Sequence, residues 1–383
     1  MFFSLALIAI CSVLLIRQRF FRRRMLVMTN SLSIRRIAAV VVPIIIVALV
    51  WTYWWSTRVE ADARSAMESD MLADMLGRVS QDGAPATRLS DKDGDLIADA
   101  PTDPTQLQDP ETIVFSYIAE GDESEIEQDS RRGQRVWNEL LEAIAKQTNR
   151  KIAYRHFSGS DEQLTAFGNG EVHVLGLNTG AVDVAVEHFG FVPICALGNA
   201  DGTYGYTMKI IAPSSKVVRN AAELRGRKVT FVRPNSNSGF KAAFVYLMDA
   251  HGLLPERDYQ WSFSLDHEKS IRDVVEQKTD AAAIASDVLA RLVNTGEVDK
   301  AAIATIYESE SFPPATIGFA YNLKPELQDA IQQSMLGFDW SDTELQSEFG
   351  PMGAEKFVAV NYKDDWANIR RIERSIDKAR SGL

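Results

Sequence analysis

The segment 234–239 reads Pro-Asn-Ser-Asn-Ser-Gly and lies between a strand-like run and a helix-like run. Proline ends the strand, glycine lets the backbone approach a ligand closely, and serine or asparagine caps the helix. Backbone N–H groups at a helix start and the positive end of the helix dipole together bind anions. The segment therefore predicts an anion pocket formed by Ser236, Asn237, Ser238 and Gly239. An ordinary helix-capping loop is the alternative, because it favours the same residue types.

A second polar segment places four carboxylates, Asp91, Asp93, Asp95 and Asp99, around a glycine turn. Carboxylates at alternate positions suit a hard cation such as Ca²⁺. The spacing resembles thrombospondin-type calcium repeats and differs from an EF-hand, since no glutamate stands at the twelfth position. A solvated acidic turn is the alternative interpretation of this single copy. Apart from this candidate calcium site, the sequence predicts no cofactor.

Patterns typical of enzymes are not found in the sequence. It contains no Gly-x-Ser-x-Gly elbow, no Walker loop and no paired-histidine metal motif. Its five histidines lack metal-ligand spacing, and its two cysteines, Cys11 and Cys195, give no disulfide framework. A nucleophile–base pair of Ser236 and His267 can be imagined, but no other residue supports it. We therefore predict that the protein is not an enzyme.

Alternating strand-like and helical segments position these residues. From residue 112 short apolar runs alternate with helical periodicity, which is typical of βαβ units and a mainly parallel sheet with helices on both faces. The order then repeats, so we expect an α/β fold of two similar lobes with a ligand cleft at their facing edges. The predicted first lobe comprises residues 111–212 and 313–383, and the second comprises residues 213–312.

The N-terminal part predicts a membrane anchor in residues 1–58. It contains eight arginines and no acidic residue, so the rest of the chain holds 33 of the 41 basic residues and all 52 acidic ones. The apolar stretch 37–55 is long enough to cross a bilayer, whereas the stretch 2–16 is short. The arginines between them belong in the cytoplasm by the positive-inside rule, which puts the body on the periplasmic side of the inner membrane. A signal peptide cleaved near residues 61–63 is the alternative.

Residues 59–110 are expected to form a helical stalk followed by an acidic linker rich in proline and aspartate. The acidic body has no basic stripe that would meet phosphates along a nucleic acid. We therefore exclude nucleic acid as a partner.

Five stretches resemble, in order, the phosphate-, phosphite- and phosphonate-binding proteins of ABC transporters. Pro-Asn-Ser-Asn-Ser-Gly-Phe, ending at Phe240, is similar to the family's Pro-Asn-Ser-Thr-Ser-Gly-Phe/Tyr. The other stretches are Ala-Asp-Gly at 200–202 with Tyr-Gly-Tyr at 204–206, Asp-His-Glu-Lys-Ser-Ile at 266–271, Thr-Asp-Ala-Ala at 279–282, and Tyr-Asn-Leu at 321–323. The likeness covers about residues 111–366. It implies a hinge-closing periplasmic-binding-protein fold of type II, a phosphorus oxyanion as ligand, and an ABC permease with its ATPase as partners.

The resemblance also implies a role for each matching residue. Ser236, Asn237 and Ser238 would hold the oxyanion through hydroxyl and backbone N–H groups. His267 would donate one more hydrogen bond. Asp287 corresponds to an acidic position that accepts from a protonated ligand oxygen or from an amine.

The sequence departs from the family's pattern at three positions. Ser160 and Leu177 stand where phosphonate binders have tyrosine, and Ala315 stands where aminoalkylphosphonate binders have an acidic residue. The polar, glycine-rich loop with Asn178 and Thr179 offers backbone donors instead. We therefore expect phosphite, phosphate or a small phosphonate with an uncharged tail to bind more tightly than 2-aminoethylphosphonate.

Two other functions remain open for the same fold at this point. A membrane-tethered sensor would present its loaded lobe to a membrane kinase, and an enzyme would turn over a phosphoester. The importer component is the function that the sequence favours.

Overall fold

A computed structural model describes residues 46–47, 49–54, 58, 89–117, 126–216 and 218–381. The chain divides into two units, Met1–Met67 and Glu68–Leu383. In the first unit the described residues are helical and expose apolar side chains such as Val47 and Tyr53. Within the described part of the chain, no helix is both long and apolar enough to cross a bilayer. The predicted anchor and stalk lie largely outside the described residues.

The second unit alternates strands and helices. In chain order its strands are β1 (Thr112–Tyr117), β2 (Lys151–Tyr154), β3 (Val174–Leu177), β4 (Phe191–Gly198), β5 (Tyr206–Pro213), β6 (Lys228–Phe231), β7 (Gln260–Phe263), β8 (Ala281–Ala285), β9 (Ile303–Phe312), β10 (Thr316–Ala320) and β11 (Lys356–Ala359). The helices before residue 260 are α1 (Ile126–Thr148), α2 (Ser160–Gly168), α3 (Val182–Phe189) and α4, which consists of the consecutive segments Asn237–Lys241, Ala242–Val245 and Tyr246–Ala250. Those after it are α5 (His267–Val275), α6 (Ser286–Asn294), α7 (Pro325–Leu336), α8 (Glu344–Phe349), α9 (Tyr362–Asp365) and α10 (Ala367–Ser381).

The strands form two sheets. The six-stranded sheet has the order β11-β4-β10-β3-β1-β2, and the five-stranded sheet has the order β7-β6-β8-β5-β9. We call each sheet with its helices a lobe, the first containing β1 and the second containing β6. The central strands β3, β8 and β10 are buried along their whole length and are almost entirely apolar, as expected of strands covered on both faces. The predicted two-sheet α/β fold is confirmed.

Two segments connect the sheets, residues 199–205 between β4 and β5 and residues 313–315 between β9 and β10. They run side by side, because β5 and β9 pair antiparallel with Tyr206 opposite Phe312. Strand β5 therefore belongs to the second sheet, although the predicted boundary of the first lobe lay at residue 212.

Aromatic clusters fix the elements that carry the site. In the first lobe the indole of Trp137, on α1, lies 4.7 Å from the ring of Tyr117 and 5.7 Å from that of Phe349 between ring centroids. In the second lobe the ring of Phe240 lies 5.3 Å from Phe231. The first cluster holds the end of β1 against α8, and the second holds the start of α4 against the end of β6.

Candidate functional site

Residues of both lobes line a cavity of about 370 Å³. It brings together six residues that the sequence predicts for the site: Asn178, Thr179, Asn237, Ser238, His267 and Asp287. The other predicted residues, Ser160, Ser236 and Gly239, do not line it. Ser236 and Gly239 support the start of α4 behind the cavity, and Ser160 forms a contact between the lobes.

Ser236 caps the helix α4 from a buried position. Its Oγ accepts a hydrogen bond of 3.1 Å from the backbone N–H of Gly239. A side chain at Gly239 would collide with Val232, whose Cβ would lie 2.5 Å from the added carbon. Ser236 and Gly239 thus shape the helix start behind Asn237 and Ser238, which face the cavity.

The first turn of α4 is π-helical. The N–H of Lys241 donates to the carbonyl of Ser236 at 3.1 Å, and that of Ala242 donates to Asn237, five residues back in each case. Such wide turns are frequent at functional sites. Because the first N–H groups of any helix have no partner within it, this turn presents backbone donors together with the positive end of the dipole.

Asn237 carries an unusual buried amide. The residue is 2% exposed, and among the described residues neither Oδ1 nor Nδ2 has a hydrogen-bond partner. A buried polar group without a partner costs about 1–3 kcal/mol, so native proteins rarely keep one without a reason. Asn237 also lines the cavity at a helix start, where the first backbone N–H groups lack partners within the helix.

His267 presents a hydrogen-bond donor of defined tautomer. Asp266 caps α5 by accepting from the N–H of Lys269 at 2.7 Å, which places His267 in the first turn. The imidazole Nδ1 accepts from the N–H of Ala285 at 3.1 Å. The neutral ring therefore carries its proton on Nε2, which lies 3.4 Å from Oγ of Ser236.

Asp287 and Tyr206 complete the polar wall. Oδ1 of Asp287 accepts from the N–H of Val288 at 2.8 Å in the first turn of α6. Burial raises the pKa of Tyr206 to about 12, although the neighbouring polar side chains of Thr179, Asn237 and Ser238 oppose the shift and the charge of Asp287 adds to it. The phenol thus stays protonated and able to donate at neutral pH.

Three further residues line the cavity although no contact is predicted for them from the sequence: Tyr206, Tyr117 and Phe349. Tyr206 had a signal, since it belongs to the matched stretch 204–206. Tyr117 ends a predicted strand, whereas Phe349 carries no local signal because only the tertiary fold brings it to the site.

The loop after β3 contributes the first lobe's polar residues. Oδ1 of Asn178 accepts from the N–H of Ala181 at 3.1 Å, and Oγ1 of Thr179 donates to the carbonyl of Pro313 at 2.7 Å. A Cβ at Gly180 would lie 2.1 Å from the carbonyl oxygen of Asn235 in the second lobe. Only glycine allows this approach of the two backbones.

Hydrogen bonds across the cleft show that the lobes are in contact. Nδ2 of Asn235 donates to Oγ of Ser160 at 2.8 Å, so Ser160 joins the lobes instead of lining the cavity. Nζ of Lys241 donates to the carbonyl of Gly180 at 3.0 Å and to Oε1 of Glu373 at 2.5 Å. Glu373 lies on α10, which follows the first lobe in the chain and packs on α4 of the second.

Large apolar side chains and ion pairs form much of the remaining lining, together with Gly180, Asp266, Ala285, Thr295 and Ser347. The apolar residues are Tyr117, Val288, Pro314, Ala315, Phe349, Pro351 and Met352. Nη2 of Arg132 lies 2.6 Å from Oε1 of Glu348, and Arg291 pairs with Glu268. Carboxylates therefore reach the cavity from α5, α6 and α8, although Ala315 itself offers none.

The acidic turn is separate from the cavity. Carboxylate oxygens of Asp91, Asp93 and Asp95 lie within 4.8 Å of one another, as a hard cation requires of its ligands. Asp99 is not part of this group; its Oδ2 accepts from Oγ of Ser90 and from the N–H of Lys92. Mutual repulsion among these carboxylates adds to burial in raising the pKa of Asp95.

Comparison with known proteins places this geometry in a family. Residues 127–366 match a family model described as the periplasmic substrate-binding protein of phosphonate ABC transporters. A binding-protein component of an ABC phosphonate transporter from Pseudomonas aeruginosa is 18% identical, with a TM-score of 0.57 over 70% of this chain and 87% of that one. PhnD1 from Prochlorococcus marinus, solved in complex with methylphosphonate, is 14% identical, with a TM-score of 0.57 over 70% of this chain and 100% of that one.

The two solved structures establish the likeness of fold, and the family model covers most of the chain. The predictions of a transport component and of a binding protein without catalysis are confirmed by this match. The body is extracytoplasmic, as the family is periplasmic. The chain belongs to the family of periplasmic substrate-binding proteins of phosphonate ABC transporters.

Proposed function

We propose that the cavity binds the oxyanion group of a phosphonate at Asn237, Ser238 and His267. The observation that carries this proposal is the buried amide of Asn237, which has no partner among the described residues and lies on the same cavity as the donor His267. Donors fixed before binding lose little entropy when the ligand arrives, which favours affinity. Ser236 contributes by capping α4 and by lying near Nε2 of His267.

Asp287 distinguishes protonation states of the ligand in this proposal. A carboxylate only accepts hydrogen bonds, so beside an oxyanion it favours the singly protonated form, whose P–OH group donates to it. Tyr206 supplies another donor, since its phenol stays protonated. The cavity therefore selects the monoanion over the dianion.

Methylphosphonate is a suitable first ligand, because PhnD1 from Prochlorococcus marinus was solved with it. Calorimetric titration of the full chain in detergent should show saturable binding of methylphosphonate and phosphite and none of sulfate. We expect 2-aminoethylphosphonate to bind more weakly than these. Tighter binding of the amine would assign one of the cavity carboxylates to the ammonium group.

We further propose that residues 37–55 anchor the body in the inner membrane. The arginine-rich segment before them and their apolar length support this. The full chain should then sediment with membranes after salt and carbonate washes. A soluble periplasmic form that begins near Arg64 would show a cleaved signal peptide instead.

The calcium site at Asp91, Asp93 and Asp95 stays a prediction. The carboxylate cluster supports it, because its oxygens lie close enough for shared coordination. Calcium should raise the melting temperature of the full chain but not that of an Asp93→Asn variant. Equal melting temperatures with Ca²⁺ and with a chelator would identify a solvated turn.

A further inference from the structure

Most of the apolar residues that line the cavity come from the first lobe, which also contributes the polar residues Asn178 and Thr179. The second lobe supplies the polar groups of Asn237, Ser238, His267 and Asp287 at the starts of three helices. The first lobe and the segment after α8 supply Tyr117, Phe349 and Met352, among other apolar residues. An oxyanion bound at the helix starts therefore turns its substituent toward Tyr117, Phe349 and Met352. We call these three residues the apolar wall.

This wall is preformed. Tyr117 and Phe349 are largely buried, and both rings pack on Trp137, at 4.7 and 5.7 Å between centroids. Their own rings lie 6.0 Å apart in an edge-on arrangement. Helix α6 of the second lobe contacts the turn Gly350–Met352, so the wall continues across the cleft. Its shape is fixed by the core and needs no ligand to form.

The ionic groups at the edge of the wall are already paired. Arg132 pairs with Glu348, and Arg291 pairs with Glu268. A charged substituent that lies against Tyr117, Phe349 and Met352 would lose part of its hydration on this apolar surface. The wall therefore favours an uncharged substituent.

The cavity is larger than a methylphosphonate needs. Its volume of 370 Å³ is present although the lobes already touch through Asn235, Ser160 and Gly180. At roughly 30 Å³ per non-hydrogen atom, the share of a liquid water molecule, the about five such atoms of methylphosphonate fill less than half of it. Water against Tyr117, Phe349 and Met352 would occupy the remainder.

We propose that this protein preferentially binds phosphonates with a bulky, uncharged, apolar substituent, such as an aromatic ring, which lies against Tyr117, Phe349 and Met352. The inference rests on the proposed oxyanion site and deepens it by naming the substrate class. The driving force is the apolar area removed from water. One ring buried on this wall is expected to raise affinity over methylphosphonate by on the order of 10- to 100-fold.

Titration of the full chain in detergent with phosphite, methylphosphonate and phenylphosphonate tests this. We expect phenylphosphonate to bind at least about 10-fold more tightly than methylphosphonate. Met352→Asp should reduce the ratio of the two affinities to about one, because it places a charge on the wall. Met352→Leu, a change that conserves volume and polarity, should keep the preference.

Phenylphosphonate that binds no more tightly than methylphosphonate would overturn the inference and leave the oxyanion site standing. A preference that survives in Met352→Asp would overturn the assigned wall. If none of the three ligands binds, the proposed oxyanion site itself is wrong.

Discussion

The backbone N–H of Ala285 donates a hydrogen bond of 3.1 Å to Nδ1 of His267. Ala285 is the last residue of β8, so the central strand of the second sheet fixes the tautomer of a histidine on another element. The ring thus presents Nε2–H as a donor near Ser236. A histidine held in this way presents a donor and is poorly suited to act as a general base, which agrees with a binding protein.

Replacing His267 should weaken ligand binding when the replacement removes the hydrogen-bond donor. His267→Leu removes a hydrogen bond to a charged group, worth about 1.5–3 kcal/mol, and should lower methylphosphonate affinity by on the order of 10- to 100-fold. His267→Gln keeps an N–H donor and should lose less. Calorimetric titration measures both, and equal affinities in His267→Leu and the wild type would contradict the assigned role.

Replacing Tyr206 by phenylalanine should reduce affinity about 10-fold, by removing one donor from the cavity while keeping the ring. Tyr204→Phe is the matched control, two residues earlier on the connection between β4 and β5. Its hydroxyl donates to Asp365 at 2.5 Å, and Tyr204 does not line the cavity. A control variant that loses as much affinity as Tyr206→Phe would show that the effect comes from the connection between the lobes.

The sequence predicts the oxyanion segment because all its determinants are local. Proline, capping residues and glycine act within residues 234–239, and the structure places Asn237 and Ser238 on the cavity. Ser160 lies at the lobe contact instead, because Asn235 reaches its hydroxyl only in the folded chain. Likewise, Phe349 reaches the cavity through packing on Trp137, which no sequence spacing encodes.

The fold shows the same division between local and tertiary determinants. The central strands β3, β8 and β10 are short apolar runs and are predicted from sequence. The strand β9 is missed, because it lies at the sheet edge and alternates exposed polar residues with half-buried apolar ones. The strand β11 is also missed, since its four residues pair only with β4, more than a hundred residues earlier.

The ion pair between Lys241 on α4 and Glu373 on α10 should stabilise the packing of these two helices. Both side chains are nearly buried, with 6% and 14% exposed. Lys241→Met should lower the free energy of unfolding by about 3–5 kcal/mol, because it leaves a carboxylate buried without its partner. The double variant Lys241→Met with Glu373→Leu should recover much of this loss. Urea denaturation measures the free energy of unfolding of each variant. If the effects of the two single substitutions simply add in the double variant, the two residues do not interact.

His173 should make the first lobe sensitive to acid. Its Nδ1 accepts from the N–H of Val114 at 3.0 Å, and burial lowers its pKa below the usual 6.5. The unfolded chain therefore binds more protons than the folded one below about pH 6.5, and the free energy of unfolding falls as the pH drops through that range. His173→Gln keeps an acceptor and does not titrate. Urea denaturation at about pH 7.5 and 5.5 measures how far the free energy of unfolding falls between these pH values. The decrease should be smaller in this variant than in the wild type, and equal decreases would contradict the prediction.

If the buried amide of Asn237 binds the oxyanion of a phosphonate, as we propose, Asn237→Leu tests this binding most directly. The variant keeps the side-chain size but removes two buried polar atoms that lack partners among the described residues. Thermal unfolding without ligand should therefore occur at an equal or higher temperature, because the replaced amide contributes a cost and no bond. Calorimetric titration with methylphosphonate should show affinity reduced by on the order of 10- to 100-fold. Unchanged affinity in this folded variant would contradict the account.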